Sequence, residues 1–141
     1  MREGYPHVQR ITTRWMDNDI YGHVNNVVYY SYFDTVINTW LIERAGLDIH
    51  GGAVIGLCAE SHCAFKAPIE FPQIVEAGLR VAKLGRSSVR YEIGLFIEGQ
   101  APAVAEGWFV HVFVDRVTRR SIALPAAMRA ALETLVVEQR P

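Results

Sequence analysis

Apolar residues recur along this chain at two different spacings, and the change from one to the other divides it. Val8 to Trp15 is rich in β-branched side chains, which predicts a strand. It ends in Met16-Asp17-Asn18-Asp19, a run of short polar side chains that predicts a turn, and a loop continues through Gly22. Tyr29, Phe33, Val36, Ile37, Trp40 and Leu41 then follow at helical spacing. Val28, Tyr30 and Tyr32 add apolar surface on other sides, so this helix is apolar almost all round and is expected to be buried. Asn25 or Asn26 is the expected N-cap and Gly46 the C-terminal stop. The helix should be roughly 20 residues long, or about 30 Å.

The spacing then changes to two. Ala53 to Phe65, Ile74 to Leu84, Ser88 to Phe96 and Ala103 to Asp115 predict four strands. In the third of these, Val89, Tyr91, Ile93 and Leu95 alternate with Arg90, Glu92 and Gly94. Pro68 stops the first, and the short turns Gly85-Arg86 and Glu98-Gly99-Gln100 imply antiparallel hairpins. Pro125 opens a short C-terminal helix at a position where proline is permitted. The order predicts an α+β fold in which one antiparallel sheet wraps around a long central helix. Residues 1–141 contain no repeat or linker and read as a single domain. One sheet cannot cover such a helix on every side. The uncovered remainder and the sheet edges predict an oligomer, with a homodimer as its minimum unit.

Charge and composition narrow the function. The formal net charge is −1, which excludes a broad electrostatic attraction to nucleic acid, so an anionic ligand needs a local basic cluster. No segment is apolar for long enough to span a membrane. Met1 to Arg10 mixes charges without an apolar run, so no signal peptide is expected there. Cys58 and Cys63 are too few for a disulfide scaffold. Five residues apart on one strand, they are expected on opposite faces. A reducing, cytoplasmic setting follows. His7, His23, His50, His62 and His111 are scattered and form no metal-ligand spacing, so no metal is expected.

The densest chemistry lies in Asp17-Asn18-Asp19-Ile20-Tyr21-Gly22-His23-Val24-Asn25-Asn26, followed by Tyr29. This run resembles the 4-hydroxybenzoyl-CoA thioesterase family of hotdog proteins. The family signature is an aspartate, two variable residues, glycine, histidine, a small apolar residue, two asparagines and a later tyrosine, and every position is filled here. Phe65-Lys66-Ala67-Pro68, Leu84-Gly85-Arg86-Ser87-Ser88, Asp115-Arg116 and Leu124-Pro125 resemble further family segments. The resemblance implies a hotdog fold, an acyl-CoA substrate, a homodimer or homotetramer with sites between subunits, and no metal or organic cofactor, coenzyme A being part of the substrate. It carries the catalytic role onto Asp19 and the thioester-carbonyl contact onto the backbone at Asn25 or Asn26. Plant acyl-carrier-protein thioesterases share the His-Val-Asn-Asn element, so the motif fits either carrier.

Thioester hydrolysis needs an activated attacking group and a donor for the oxygen that becomes negative. An ionised carboxylate can attack directly or deprotonate a water. The unpaired N–H groups at a helix start, aided by the helix dipole, can hold the oxyanion. Asp17 is read as structural, a loop or capping acceptor, and the plain alternative for Asp17 and Asp19 together is a polar turn before a helix. His23 has three readings: it orients Asp19, donates to the thioester or its sulfur, or holds the loop. Gly22 suits a tight passage or positive φ. The Asn26 side chain suits a tie from the loop to a neighbouring strand. Tyr29 is core, with one end of the helix lining an acyl pocket. His62 faces a pocket of its own or a partner subunit, or is a plain strand histidine. Arg86, with Ser87 and Ser88, is the candidate for the phosphates of coenzyme A, against the alternative of a solvated turn.

Two other functions compete. Hotdog hydratases and dehydratases place an asparagine two residues after the aspartate and a proline soon after, where this chain has Ile20-Tyr21-Gly22. A non-catalytic acyl-CoA sensor would keep the pocket but usually carries a regulatory segment. None is expected before Val8 or after Gln139.

Overall fold

A computed structural model describes residues 2–137. The expectation about residues after Gln139 lies outside them. Seven main elements follow one another: β1 (His7–Thr12), α1 (Asn26–Arg44), β2 (Val54–Phe65), β3 (Ile74–Leu84), β4 (Ser88–Ile97), β5 (Ala103–Asp115) and α2 (Ala126–Glu133). The five strands form one antiparallel sheet in the order β1-β3-β4-β5-β2. The sheet and its long helix are the α+β arrangement that the pattern predicts, and they match the hotdog fold that the resemblance implies.

The helix packs its apolar side onto one face of the sheet. Tyr29, Tyr32, Phe33, Val36, Ile37, Trp40 and Leu41 are all buried. The facing sheet residues are the alternating Val75, Ala77, Leu79 and Val81 of β3 and Val89, Tyr91, Ile93 and Leu95 of β4. The opposite sheet face carries paired charges, including Arg2–Glu76 and Arg80–Glu92. The helix is not covered all round, since Val27 is 71% and Ile42 45% exposed. Asn25 is the N-cap, its side chain accepting from the Val27 N–H. Gly46, just beyond the helix end, has φ of 73°, which an L side chain rarely adopts.

Three expectations are corrected in detail. The first strand ends at Thr12, not Trp15, because Thr13 turns its hydroxyl to donate to the Gln73 carbonyl at 2.6 Å and Trp15–Asp17 form a single 3-10 turn. Pro125 stands at the N-cap of α2 and not in its first turn. The two cysteines are not on opposite faces. A bulge between Cys58 and Glu60 shifts the count, so Cys58 pairs with His111 and Cys63 with Gly107, residues four apart on β5. That separation of about 13 Å along the strand is too long for a disulfide, and both thiols are free.

His111 is buried in the helix-facing layer, its Nδ1 3.0 Å from the Tyr91 hydroxyl. Gly56 leaves room for it, since a Cβ there would sit 3.3 Å from Nδ1. Burial pushes the imidazole down from the ordinary 6.5 to about 4. The folded state therefore binds fewer protons than the unfolded chain between these pH values. Stability is fully present above 6.5 and falls as pH drops toward 4. At about 1.4 kcal/mol per pH unit the loss approaches 3 kcal/mol. Chemical denaturation of wild type and His111→Gln across pH 4 to 7 should show a slope in wild type that the variant lacks. Parallel curves would remove His111 as the cause.

Candidate active site

The segment between β1 and α1 is built around one buried carboxylate. Asp17 is 1% exposed. It accepts from the Arg14 backbone N–H at 2.9 Å, the Arg14 Nε at 3.1 Å and the Tyr32 hydroxyl at 2.8 Å. Burial alone would raise its pKa. The hydrogen bonds from Arg14 and Tyr32 outweigh it and hold the carboxyl below the ordinary 3.8. Asp17 thus fastens the loop to the second turn of α1 and has no free lone pair aimed at solvent.

Asp19, two residues on, is placed differently. It is half-buried, and its Oδ1 accepts from the Tyr21 N–H at 2.8 Å, an Asx turn. A small backbone ring surrounds it. The Asp19 N–H donates to the His23 carbonyl at 2.9 Å and the Gly22 N–H to the Asp19 carbonyl at 3.1 Å. Gly22 has φ of 82°, so the glycine is required by this ring. Asn18 locks it from outside: its Nδ2 donates to the Gly22 carbonyl at 3.3 Å, and its Oδ1 accepts from the Phe71 N–H at 3.2 Å. Sequence reasoning gave Asn18 no role and assigned the loop tie to Asn26. Both are asparagines in the same polar run, and only the register of Phe71 against the loop separates them.

Asp19, His23, Asn26 and Tyr29 line one cleft of about 440 Å³, together with Phe65 and Pro68. Gly22 lies beside it in the ring just described. His23 is exposed, with Nε2 3.3 Å from a Glu70 carboxylate oxygen. At the helix start the donors are unequally used. The Asn25 N–H donates to the Asp17 carbonyl at 2.9 Å, the Val28 N–H to the Asn25 carbonyl at 2.9 Å, and the Val27 N–H to the Asn25 side chain at 3.1 Å. The Asn26 N–H is outside these bonds, and Asn26 is the one that lines the cleft.

The other expected site residues lie elsewhere in the chain. His62 is on the opposite sheet face, stacked on Trp108 with ring centroids 4.2 Å apart. Arg86, Ser87 and Ser88 form the β3–β4 hairpin, at the far end of an 11-residue strand from Ile74 and so about 33 Å from the cleft end. The Ser87 carbonyl accepts from the Phe113 N–H and the Arg86 carbonyl from the Leu124 N–H, while the Arg86 side chain is exposed. Connectivity decides this: β3 starts at Ile74, opposite Thr12 at the end of β1, so its turn into β4 lies at the other end of the sheet. Among the described residues no three histidine, cysteine, aspartate or glutamate side chains cluster as a metal site.

A five-stranded antiparallel sheet wrapped on one long helix is the hotdog arrangement, and the family match makes the class that of thioester hydrolases. The chain belongs to the thioesterase-like superfamily, which matches residues 13–132. It is 60% identical to the PA5185 protein of Pseudomonas aeruginosa, with a TM-score of 0.96 over 99% of this chain and 97% of that one. A putative thioesterase of the same organism, PA2801, is 32% identical over 91% and 98% of the two chains, with a TM-score of 0.85. A Thermus thermophilus thioesterase complexed with coenzyme A and Zn is 31% identical over 94% and 96%, with a TM-score of 0.79. No curated protein matches the chain. The narrower 4-hydroxybenzoyl-CoA family is not distinguished by these likenesses.

Proposed function

We propose that this protein hydrolyses acyl-CoA thioesters in the Asp19 cleft, in the cytoplasm, with no cofactor beyond the coenzyme A of the substrate. The observation that carries the reading is the contrast between the two aspartates. Asp17 is saturated and buried, whereas Asp19 is half-buried, has a single side-chain hydrogen bond, from the Tyr21 N–H, and lines a cleft that Asn26 also lines. The Asn26 N–H serves as the oxyanion donor, since the Asn25 N–H is already spent on Asp17. The carboxylate then acts in one of two ways. As nucleophile it forms a mixed anhydride, expels the coenzyme A thiol, and is freed by water. As general base it deprotonates the water that attacks the carbonyl. After a single turnover in ¹⁸O-water, ¹⁸O in Asp19 identifies the anhydride route with water attacking the Asp19 carbonyl, whereas general-base hydrolysis puts ¹⁸O only in the product acid. The coenzyme A held by the Thermus relative supports this carrier over acyl-carrier protein.

The second part of the proposal is a homodimer joined through β2. This strand is the sheet edge, 12 residues long, and exposes Leu57 and Phe65. A long apolar edge is a template for another strand. Light scattering at micromolar concentration should give at least twice the chain mass, and a stable monomer would contradict it. Antiparallel pairing of two β2 strands reverses the second copy end for end. Its Leu84–Ser88 hairpin then lies at the same sheet end as the first copy's cleft. This brings Arg86 of a second copy toward the nucleotide end of a substrate held at Asp19.

Arg86→Ala should accordingly raise KM for acyl-CoA about tenfold, since a charged phosphate contact contributes about 1.5 to 3 kcal/mol. Turnover should change little, because the contact is equal in ground and transition states. A truncated thioester without the nucleotide should be unaffected. Equal losses on both substrates would assign Arg86 to the fold, and no loss on either to solvent.

A further inference from the structure

The loop that carries Asp19 separates two grooves. On the side of the β2 end is the cleft with Asn26, closed behind by Tyr29 and Phe65, whose ring centroids are 4.9 Å apart. On the other side Trp15, Met16 and Ile20, with Asn18 and Gly22, line a groove of about 680 Å³. Asp19 is the one residue that lines both. The second groove has a fixed shape. The 3-10 turn Trp15–Asp17 buries Asp17 and leaves Trp15 and Met16 outside. The Trp15 ring meets Phe71 edge to face at 5.9 Å, and Asn18 accepts from the Phe71 N–H at 3.2 Å. This groove is also apolar where the cleft is not. Trp15, Met16 and Ile20 are 77, 74 and 92% exposed, and Asp19 is the only ionisable side chain among its lining residues, whereas His23 and Lys66 line the cleft. Large apolar side chains left together in water on one loop mark a binding surface. Trp15 follows β1, at the sheet edge opposite β2, so a second copy joined at β2 extends the sheet away from it.

We infer that the Trp15–Met16–Ile20 groove takes the acyl chain of the substrate while the cleft takes the pantetheine arm of coenzyme A, and that the substrates are plain aliphatic acyl thioesters favoured more as the chain lengthens. The inference rests on the thioesterase reading above, with the thioester carbonyl at Asp19 and Asn26. A thioester carbon carries two arms, an acyl chain and a sulfur-linked chain. The Tyr29–Phe65 contact denies both an inward path, so they leave along the surface on the two sides of Asp19. The amide-bearing arm suits the side with His23 and Lys66, and the hydrocarbon arm suits Trp15, Met16 and Ile20. The cleft side is also the one that meets Arg86 of the second copy in the proposed dimer, where the nucleotide ends. Because the groove is open, each added methylene finds more apolar surface and not a wall.

The test is kcat/KM for acetyl-, butyryl-, hexanoyl- and octanoyl-CoA with wild type, Met16→Ser, Ile20→Ser and the double variant, with light scattering of each. Wild type should gain about twofold per methylene, and so about tenfold or more from butyryl to octanoyl. Full burial of a methylene gives roughly fourfold, and here one side of the chain stays in water. Each single variant should lower the octanoyl-to-butyryl ratio about threefold and the double variant about tenfold. Both side chains lie outside the core, so the fold should survive. A flat or falling wild-type series overturns the inference while leaving the thioesterase reading intact. A rising series whose ratio is unchanged in the variants puts the acyl chain elsewhere and also overturns it. Loss of oligomer mass in the variants makes the groove a contact between copies, which overturns it too. No turnover of any acyl-CoA by wild type overturns the thioesterase reading, and the inference with it.

Discussion

Asp19→Asn should lower kcat for acyl-CoA hydrolysis by about a hundredfold to ten-thousandfold, the range expected when a catalytic base or nucleophile is removed. The substitution keeps the side-chain volume and the Oδ1 that accepts from the Tyr21 N–H, so the backbone ring around Gly22 should survive. Oligomer mass and melting temperature should therefore match wild type. Substrate should still bind, because the apolar part of the cleft wall, Tyr29, Phe65 and Pro68, is untouched by the substitution. A non-catalytic acyl-CoA binder differs in turnover alone: wild type itself would be inactive, while both proteins bind. Near-normal turnover by purified Asp19→Asn would end the assignment.

Much of this architecture is legible from residue spacing alone. The helical recurrence from Tyr29 to Leu41 and the alternation from Val89 to Leu95 give the two layers, because burial on one face dictates both periods. The Asp-x-x-Gly-His-x-Asn-Asn run locates the cleft, and the φ of 82° at Gly22 shows the constraint that its glycine meets. What spacing does not carry is long-range geometry. The bulge beside Cys58 adds one residue without any sequence mark and turns that side chain to another face. His62 lies on the outer sheet face because of its register opposite Trp108, which only the β2–β5 ladder sets. Arg86 is about 33 Å away within its own chain, since topology and not composition decides which end a hairpin occupies. The family signature singles out Asp19 and leaves Asp17 as a structural acceptor, but the buried setting of Asp17 is not visible in the sequence. It arises from Tyr32, whose hydroxyl reaches back over 15 residues to Asp17.

That buried setting leads to the largest expected effect on stability. Asp17→Ala removes the acceptor for the Arg14 N–H, the Arg14 guanidinium and the Tyr32 hydroxyl. Tyr32 is 4% exposed, so its hydroxyl is left without a partner in a place water does not reach. Breaking one side of a buried charged network costs about 3 to 4 kcal/mol. For a chain of this size that is roughly 10 to 15 °C in melting temperature. The Arg14 pair itself adds little, because the guanidinium side is 64% exposed and screened. Asp17→Asn should cost less, retaining one acceptor but losing the charge. The pH dependence gives an independent reading. The Asp17 carboxyl titrates below 3.8 when folded, so its contribution is present above the unfolded value and is lost as pH falls through the folded one. The stability gap between wild type and Asp17→Asn should therefore be full at pH 6 and shrink below about pH 4. Activity at 20 °C should fall far less than in Asp19→Asn, because Asp17 reaches the chemistry only through the loop it anchors. A melting temperature within 2 °C of wild type, or a gap that stays constant down to pH 3, would show that the Asp17–Tyr32 contact does not hold the loop.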